Sequence, residues 1–193
     1  MSGNGNHGTV NGATLTKDRY GFVNKAYEFD GVDDWIKINH NNSFNQLPLA
    51  VSFWVYSRYN SDSVTTLVGK YQNASWNGWY ITTNKQGGTT GRYLLGSDRS
   101  LIASMSIIKD SWNHVLLNFS LEQLSTYMNG KYVNSSQWSG TPGKTTTTYH
   151  LAIGSYRHSS TSGTYFSGII DNLRIYSREL FSQEIWELYN SAK

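Results

Sequence analysis

The sequence contains no cysteine, so disulfide bridges and thiolate metal sites are both excluded. It has only two prolines, Pro48 and Pro142, which excludes a proline-rich linker. Charged residues make up only 15% of the chain and hydrophobic residues 38%, which is too apolar for a disordered chain. We therefore expect residues 1–193 to form one domain with a proper core.

Basic residues are scattered. Sixteen Lys and Arg against thirteen Asp and Glu give a net charge of +3, but no basic run could track a phosphate backbone. We therefore expect no nucleic-acid partner. No apolar run approaches the roughly 18 residues of a membrane span, and no signal peptide is visible. We expect no membrane insertion, and any export signal would lie outside this chain.

Aromatic residues and glycine are abundant: seven Trp, fourteen Tyr, seven Phe and eighteen Gly. About a dozen short β-branched and aromatic runs follow one another, separated by turn signals. Leu49–Ser57 is typical of a central strand, and Asn129-Gly130 is a strong hairpin signal. The first dozen residues predict coil, and only the tail predicts a helix, with Ser182 as its N-cap. This pattern indicates an all-β sandwich or barrel.

Six motifs occur in an order that resembles the laminin G-like, concanavalin A-like lectin/glucanase superfamily. They are GNGNHGTVNGA, FDGVDDWIKI, AVSFWVYS, SWNHVLLNF, YMNGKYV and GIIDNLRIYSREL. Each motif is weak alone, but six in the family's order are specific. The resemblance implies a jelly-roll β-sandwich of two antiparallel sheets with one short C-terminal helical turn.

Members of that family usually carry a further strand before the GNGNHG segment, and this chain begins inside the segment. We therefore expect that the usual first strand is missing and that the chain is a piece of a larger protein. Other domains of that parent protein are then expected partners, with the isolated chain a monomer.

An acidic group around the FDG turn is a candidate metal site. The resemblance implies that Asp30, Asp33 and Asp34 lie close to the distant Asp171, around one structural Ca²⁺. Asn4 in the opening loop could add a further oxygen donor. The alternative is that Asp30 and Asp171 only cap turns through their own backbone.

Two tryptophans lie in polar loops: Trp76 in QNASWNGW and Trp138 in SSQWSG. A sugar ring can stack on an exposed indole, although either ring could instead fold back over its own hairpin. Arginines nearby could pair with the carboxylates of an acidic sugar, or belong to a merely solvated loop tip. The candidate glycan site consists of Trp76, Trp138, Tyr71, Arg92, Tyr93, Tyr156, Arg157, His158 and Tyr165.

A glycoside hydrolase is disfavoured, because no strand carries the paired carboxyl groups that its mechanism needs. A polysaccharide lyase needs a base and cations instead, and one segment is faintly similar to a strand of jelly-roll lyases. The family's hairpin motif explains the same segment better. The lyase candidates are Tyr127, Lys131, Tyr132, Gln137, Arg157 and His158.

The sequence therefore favours a carbohydrate-binding module or adhesin-like domain of a larger extracellular, phage or viral protein. Its partner would be a polysaccharide or a cell-surface glycan, and its location extracellular, at a cell surface or on a virion. Two alternatives are open: a lyase-type enzyme that degrades cell-wall polysaccharide, and a protein-binding or structural spacer domain.

Overall fold

A computed structural model describes residues 5–58, 64–155 and 165–190. This part of the chain contains fourteen strands, two short 3-10 helices (Asn42–Asn45 and Asn73–Ser75) and one α-helix, α1 (Ser182–Asn190). The strands are β1 (Gly8–Asn11), β2 (Thr14–Thr16), β3 (Ala26–Asp30), β4 (Trp35–Ile38), β5 (Leu49–Ser57), β6 (Thr65–Gln72), β7 (Asn77–Thr83), β8 (Gly88–Leu95), β9 (Ser100–Ser106), β10 (Trp112–Phe119), β11 (Gln123–Met128), β12 (Lys131–Gln137), β13 (Leu151–Ile153) and β14 (Ser167–Tyr176).

The strands form two seven-stranded antiparallel sheets. The first sheet has the order β1-β4-β13-β6-β7-β8-β9, and the second has the order β12-β11-β10-β5-β14-β3-β2. Each sheet combines hairpins of consecutive strands with neighbours far apart in sequence, as when β14 lies between β5 and β3. The predicted jelly-roll β-sandwich is confirmed.

The core lies between the two sheets. In β9 the buried residues Leu101, Ala103 and Met105 alternate with exposed ones, because successive side chains of a strand point to opposite faces. Phe119 of the second sheet meets Trp79 of the first, with 6.1 Å between ring centroids. Burying one such side chain stabilises the fold by about 1.5–3 kcal/mol.

The N-terminal segment is not the coil that its composition predicts. Gly8–Asn11 pairs with β4 in the first sheet, and Thr14–Thr16 pairs with β3 in the second. Gly12 makes the crossing between the sheets at a positive φ of 80°. A Cβ at Gly12 would lie 1.9 Å from the carboxylate of Asp34, so no other residue fits there without a shift.

Helix α1 covers part of the outer face of the second sheet. Ile185 and the preceding Leu180 pack there against Ala50 and Leu116. Ser182 is the first helical residue rather than the predicted N-cap. The carboxylate of Glu184 accepts the N–H of Phe181, which precedes the helix, at 2.9 Å. In the described part of the chain, no helix is long and apolar enough to cross a membrane.

Candidate functional site

One row of residues crosses the outer face of the first sheet. Strand pairing places each member directly opposite the next. Strands in a sheet lie about 4.8 Å apart, so the two ends of the row, four strands apart, are separated by about 19 Å. The row consists of Lys37, Ala152, Gly69, Tyr80 and Arg92.

The pleat of the strands turns this row away from the core. Tyr80 lies between Trp79 and Ile81, which have no exposed area and point into the core. Ala152 likewise lies between the core residues Leu151 and Ile153. The row therefore faces outward, and helix α1 lies on the opposite side of the sandwich.

Tyr80 is the centre of the row. Its ring lies 4.6 Å from the ring of Tyr71, and the guanidinium carbon of Arg92 lies 5.7 Å from its centroid. The arginine also donates to the hydroxyl of Thr82 at 3.3 Å. Gly69 makes room for the tyrosine, since a Cβ there would lie 2.6 Å from Tyr80 Cβ. These contacts fix the tyrosine and the arginine in one orientation.

A second aromatic pair lies at the other end of the row. The rings of Trp35 and His150 are 5.4 Å apart, and Lys37 stands half-buried on the same strand as the tryptophan. Ala152, between the two pairs, has no exposed area. We call the set Trp35, Lys37, His150, Tyr71, Tyr80 and Arg92 the aromatic face.

The charge of this sheet has one sign. None of its seven strands contains an aspartate or a glutamate, whereas Lys37 and Arg92 both lie on the aromatic face. A third cation, Lys70, points into the core, where its Nζ donates to the carbonyl of Thr147 at 2.6 Å. The aromatic face therefore attracts anions rather than cations.

Two of the predicted ligand residues, Tyr71 and Arg92, lie on the aromatic face, but Tyr71 is only 5% exposed and serves there to pack against the ring of Tyr80. Tyr93 does not lie on that face: it has no exposed area, because the pleat turns it into the core. Its hydroxyl accepts the N–H of Thr145 at 2.8 Å, and burial raises the pKa of Tyr93 to about 12. The ligand role expected for Tyr93 is therefore corrected to a packing role.

The two loop tryptophans differ in their surroundings. Trp76 is 54% exposed in the turn between β6 and β7. Trp138 is half-buried against the main core, with its ring edge-on to Tyr93 at 5.7 Å and its Nε1 donating to the carbonyl of Ser120 at 3.0 Å. The structure thus gives Trp138 the folded-back position that was the alternative to a ligand platform.

Other expected ligand residues lie elsewhere or cannot be placed. Tyr165 is half-buried just before β14, at the end of that strand that pairs with Asp30. Tyr156, Arg157, His158 and Asn4 lie outside the described residues.

Three of the predicted metal ligands form a cluster. Asp30, Asp33 and Asp34 place one carboxylate oxygen each within 4.8 Å of one another. Burial, followed by the like charges of the other two, raises the pKa of Asp34. One oxygen of Asp30 accepts the N–H of Val32 at 2.7 Å, as the turn-capping alternative predicts. The remaining oxygens are the hard donors that Ca²⁺ takes, so the cluster fits such an ion.

Asp171 does not belong to this cluster, and that expectation is wrong. Because Ser167 pairs with Asp30, Asp171 lies four residues further along the sheet, about 13 Å away. Its carboxylate instead pairs with the guanidinium of Arg19 at 2.8 Å. Resemblance to a motif could not reveal this partner, which comes from a loop with no family signature.

The lyase candidates are not gathered into one site. The rings of Tyr127 and Tyr132 meet at 5.7 Å across the β11–β12 hairpin. Lys131 and Gln137, however, stand at opposite ends of β12, about 20 Å apart. Tyr127 packs beneath α1, and burial raises its pKa. Of the remaining candidates, Arg157 and His158 lie outside the described residues.

Sequence reasoning missed four members of the aromatic face: Trp35, Lys37, His150 and Tyr80. The signal was available in β7, where alternation with Trp79 and Ile81 places Tyr80 on the outer surface. The missing information was the strand order, which alone brings Lys37 and Arg92 into one row.

Comparison with known proteins agrees with this fold. The family model described as the concanavalin A-like lectin/glucanases superfamily matches residues 30–186. No curated protein matches the chain.

Several solved structures are similar. The binding domain of Paraclostridial Mosquitocidal Protein 1 gives a TM-score of 0.77 at 19% identity, covering 98% of this chain and 48% of that chain. The structure titled "Cell entry of botulinum neurotoxin type C is dependent upon interaction with two ganglioside molecules" gives 0.73 at 15%, covering 99% and 48%. The binding domain of botulinum neurotoxin DC in complex with rat synaptotagmin II gives 0.74 at 14%, covering 100% and 49%. The likeness shows the fold, and the chain spans about half the length of each of these relatives.

Proposed function

The chain belongs to the concanavalin A-like lectin/glucanases superfamily, and we propose that it is a carbohydrate-binding module that holds a glycan on its aromatic face. The observation that carries this proposal is the row on the first sheet, where Tyr80 stands between Arg92 and a second aromatic pair. The C–H face of a sugar ring stacks on such rings, while its hydroxyl groups reach polar neighbours.

The shape of the aromatic face favours a chain of sugars over a single one. Lys37 and Arg92 lie about 19 Å apart, with an aromatic pair near each of them. A polysaccharide or the glycan of a cell-surface molecule could span both pairs, whereas one ring would cover only one.

The charge of the first sheet favours an acidic glycan. Its strands lack carboxylates, so nothing on them repels a uronate or a sialic acid. Arg92 is already oriented by Thr82 and Tyr80, and a guanidinium can bind a carboxylate through two parallel hydrogen bonds.

The relatives support a role in recognition outside the cell. For one of them, botulinum neurotoxin type C, cell entry is dependent upon interaction with two ganglioside molecules. Such a role fits a domain that is extracellular, at a cell surface or on a virion, and joined to other domains. A protein partner is a second candidate, because another relative was solved with rat synaptotagmin II.

The test is retention on a panel of neutral and acidic polysaccharides and gangliosides. We expect the protein to bind an acidic glycan, Tyr80→Ala to abolish retention, and Arg92→Gln to weaken retention of acidic members only. Tyr132→Ala is the matched control, because Tyr132 is 58% exposed on the other sheet. Circular dichroism would check that each variant folds.

Two results would contradict the proposal: no retention on any glycan, or full retention by Tyr80→Ala. Release of unsaturated uronate products would support the lyase alternative instead.

A further inference from the structure

The loop between β2 and β3, residues 17–25, exposes three large apolar side chains. Phe22 is 63% exposed, Val23 62% and Tyr20 45%. Scattered single apolar residues are ordinary on a protein surface, but three within four positions form a patch. We call residues 20–23 the apolar tip.

The apolar tip is held in place rather than loose. One carboxylate oxygen of Asp18 accepts the N–H groups of Tyr20 and Phe22, each at 2.9 Å. The carbonyl of Phe22 accepts the N–H of Asp18 at 3.0 Å, and Gly21 turns the chain at a φ of 85°. These bonds all use the backbone of the tip, so they do not depend on which side chains it carries.

Arg19 fastens the loop to the second sheet. Its guanidinium pairs with Asp171 and lies 4.4 Å from the ring centroids of both Trp54 and Tyr20. The loop backbone is thus fixed, while Phe22 and Val23 are each more than 60% exposed. Their exposure is therefore a stable feature of the surface.

Two cations stand at the base of the loop. Lys17 and Lys25 are both exposed, and the N–H of Lys25 bonds to the carbonyl of Thr16 at 3.1 Å, which closes the loop between them. Two carboxylates of this region have other partners: Asp18 binds the loop backbone and Asp171 binds Arg19. The apolar side chains of the tip match the acyl boundary of an anionic lipid surface, and the two lysines behind them match its negatively charged headgroups.

We infer that the apolar tip docks on the anionic headgroup layer of a membrane, with Phe22 and Val23 at the acyl boundary and the lysines among the phosphates. The tip is too small for a stable protein interface, which buries surface from some 20–30 residues on each side. A glycan would not need the aliphatic valine. The loop leaves from the second sheet, so this contact is separate from the aromatic face. The contact does not span the bilayer, and a four-residue tip gives no hydropathy signal in the sequence.

Co-flotation with phosphatidylcholine vesicles, with and without phosphatidylserine, tests the inference. We expect the protein to float with phosphatidylserine vesicles in a salt-sensitive manner. The double variant Phe22→Ser/Val23→Ser should lose at least tenfold in partition coefficient, and Lys17→Gln/Lys25→Gln should lose its dependence on phosphatidylserine. Phe181→Ser is the matched control, since Phe181 is 75% exposed beside α1 and its substitution should change nothing.

A second measurement guards against misfolded variants. The chain has no cysteine, so Phe22→Cys provides a single site for an environment-sensitive dye. A blue shift of that dye on adding phosphatidylserine vesicles supports the inference. Absence of flotation, flotation undiminished in Phe22→Ser/Val23→Ser, or a self-associated state that the same variant abolishes would overturn it.

Discussion

Arg19 and Asp171 form an ion pair between side chains that are each only 5% exposed, although 152 residues separate them in sequence. The guanidinium is enclosed by the rings of Trp54 and Tyr20. Burial raises the pKa of Asp171 even though the arginine beside it acts in the opposite direction. Forming the pair therefore carries a free-energy cost of desolvation. Its structural effect is to fix the position of the loop on β14.

Replacing Arg19 by Met should destabilise the protein strongly. Removing one partner of a buried pair leaves an uncompensated charge and costs about 3–5 kcal/mol. Urea denaturation at neutral pH would measure the loss. The double variant Arg19→Met/Asp171→Asn should recover much of it, because no charge is then left buried.

Arg58→Met is the matched control for that prediction. Arg58 also pairs with a carboxylate, Glu28, at 2.7 Å, but both side chains are more than a third exposed. Exposed pairs contribute roughly 0–1 kcal/mol. Equal losses for the two arginine variants would refute the distinction drawn between the pairs.

Acid should weaken the protein through His114. Burial, with the charges of Arg19 and Arg174, lowers the pKa of His114 from 6.5 to about 4, and its Nε2 lies 2.9 Å from the hydroxyl of Ser52. The folded imidazole is neutral where the unfolded one binds a proton. Stability is therefore complete above pH 6.5 and falls as the pH drops to about 4, by on the order of 3 kcal/mol.

Denaturation of His114→Gln across the same pH range would check this. The variant has no titrating group at position 114, so its stability should fall much less between pH 6.5 and 4. The ion pair of Arg178 with Glu184 does not interfere. Hydrogen bonding to Arg178 lowers the pKa of Glu184 from 4.5 to about 2, so that contribution is lost only below pH 4.5. A variant with the wild-type slope would exclude His114 as the cause.

Alkali should strengthen the protein through Lys70. This side chain has no exposed area, and burial lowers its pKa from 10.5 to about 8. Between these values the unfolded chain binds a proton that the folded chain has lost, so stability rises with pH. At neutral pH the buried charge costs on the order of 3 kcal/mol. Lys70→Met should raise the melting temperature there.

Lys144→Met provides the comparison, since Lys144 is exposed near the same end of the sandwich. It should leave the melting temperature unchanged. The advantage of Lys70→Met should shrink above pH 10.5, where the wild-type amine is neutral in both states. A stabilisation independent of pH would point to packing rather than charge.

Calcium should stabilise the protein if the cluster of Asp30, Asp33 and Asp34 holds an ion. We expect added Ca²⁺ to raise the melting temperature and a chelator to reverse the gain. Asp33→Asn should remove the response, while Asp98→Asn, at an exposed acid remote from the cluster, should keep it. A wild-type melting temperature insensitive to calcium and to the chelator would argue for turn capping alone.

The fold was predictable because its signals are local and repeated. Alternation in strands such as β9, and the Asn129-Gly130 turn, indicate antiparallel strands without knowledge of their partners. The order of the family motifs then indicates the jelly roll. Composition gave the wrong prediction at Gly8–Asn11. Glycine and asparagine lower strand propensity, but pairing with β4 stabilises the strand.

The candidate site was predictable only in part, because it depends on strand order. Motif spacing places Asp30 and Asp34 in one turn, but it cannot show that Asp171 forms an ion pair with Arg19 instead of joining their cluster. The position of Trp138 in a polar loop suggested a ligand platform. In the structure its indole instead donates to a backbone carbonyl and packs against the core. Tyr93 and Arg92 are neighbours in sequence, and the pleat sends one to the core and the other to the surface.

The segment that joins β1 to β2 lends an edge strand to both sheets. Cleavage or unfolding of this one segment would uncover β4 and β3 together, and unpaired strand edges recruit other chains. Residues 8–16 thus cover one side of β4 and of β3 at the same time, although the segment is short and polar.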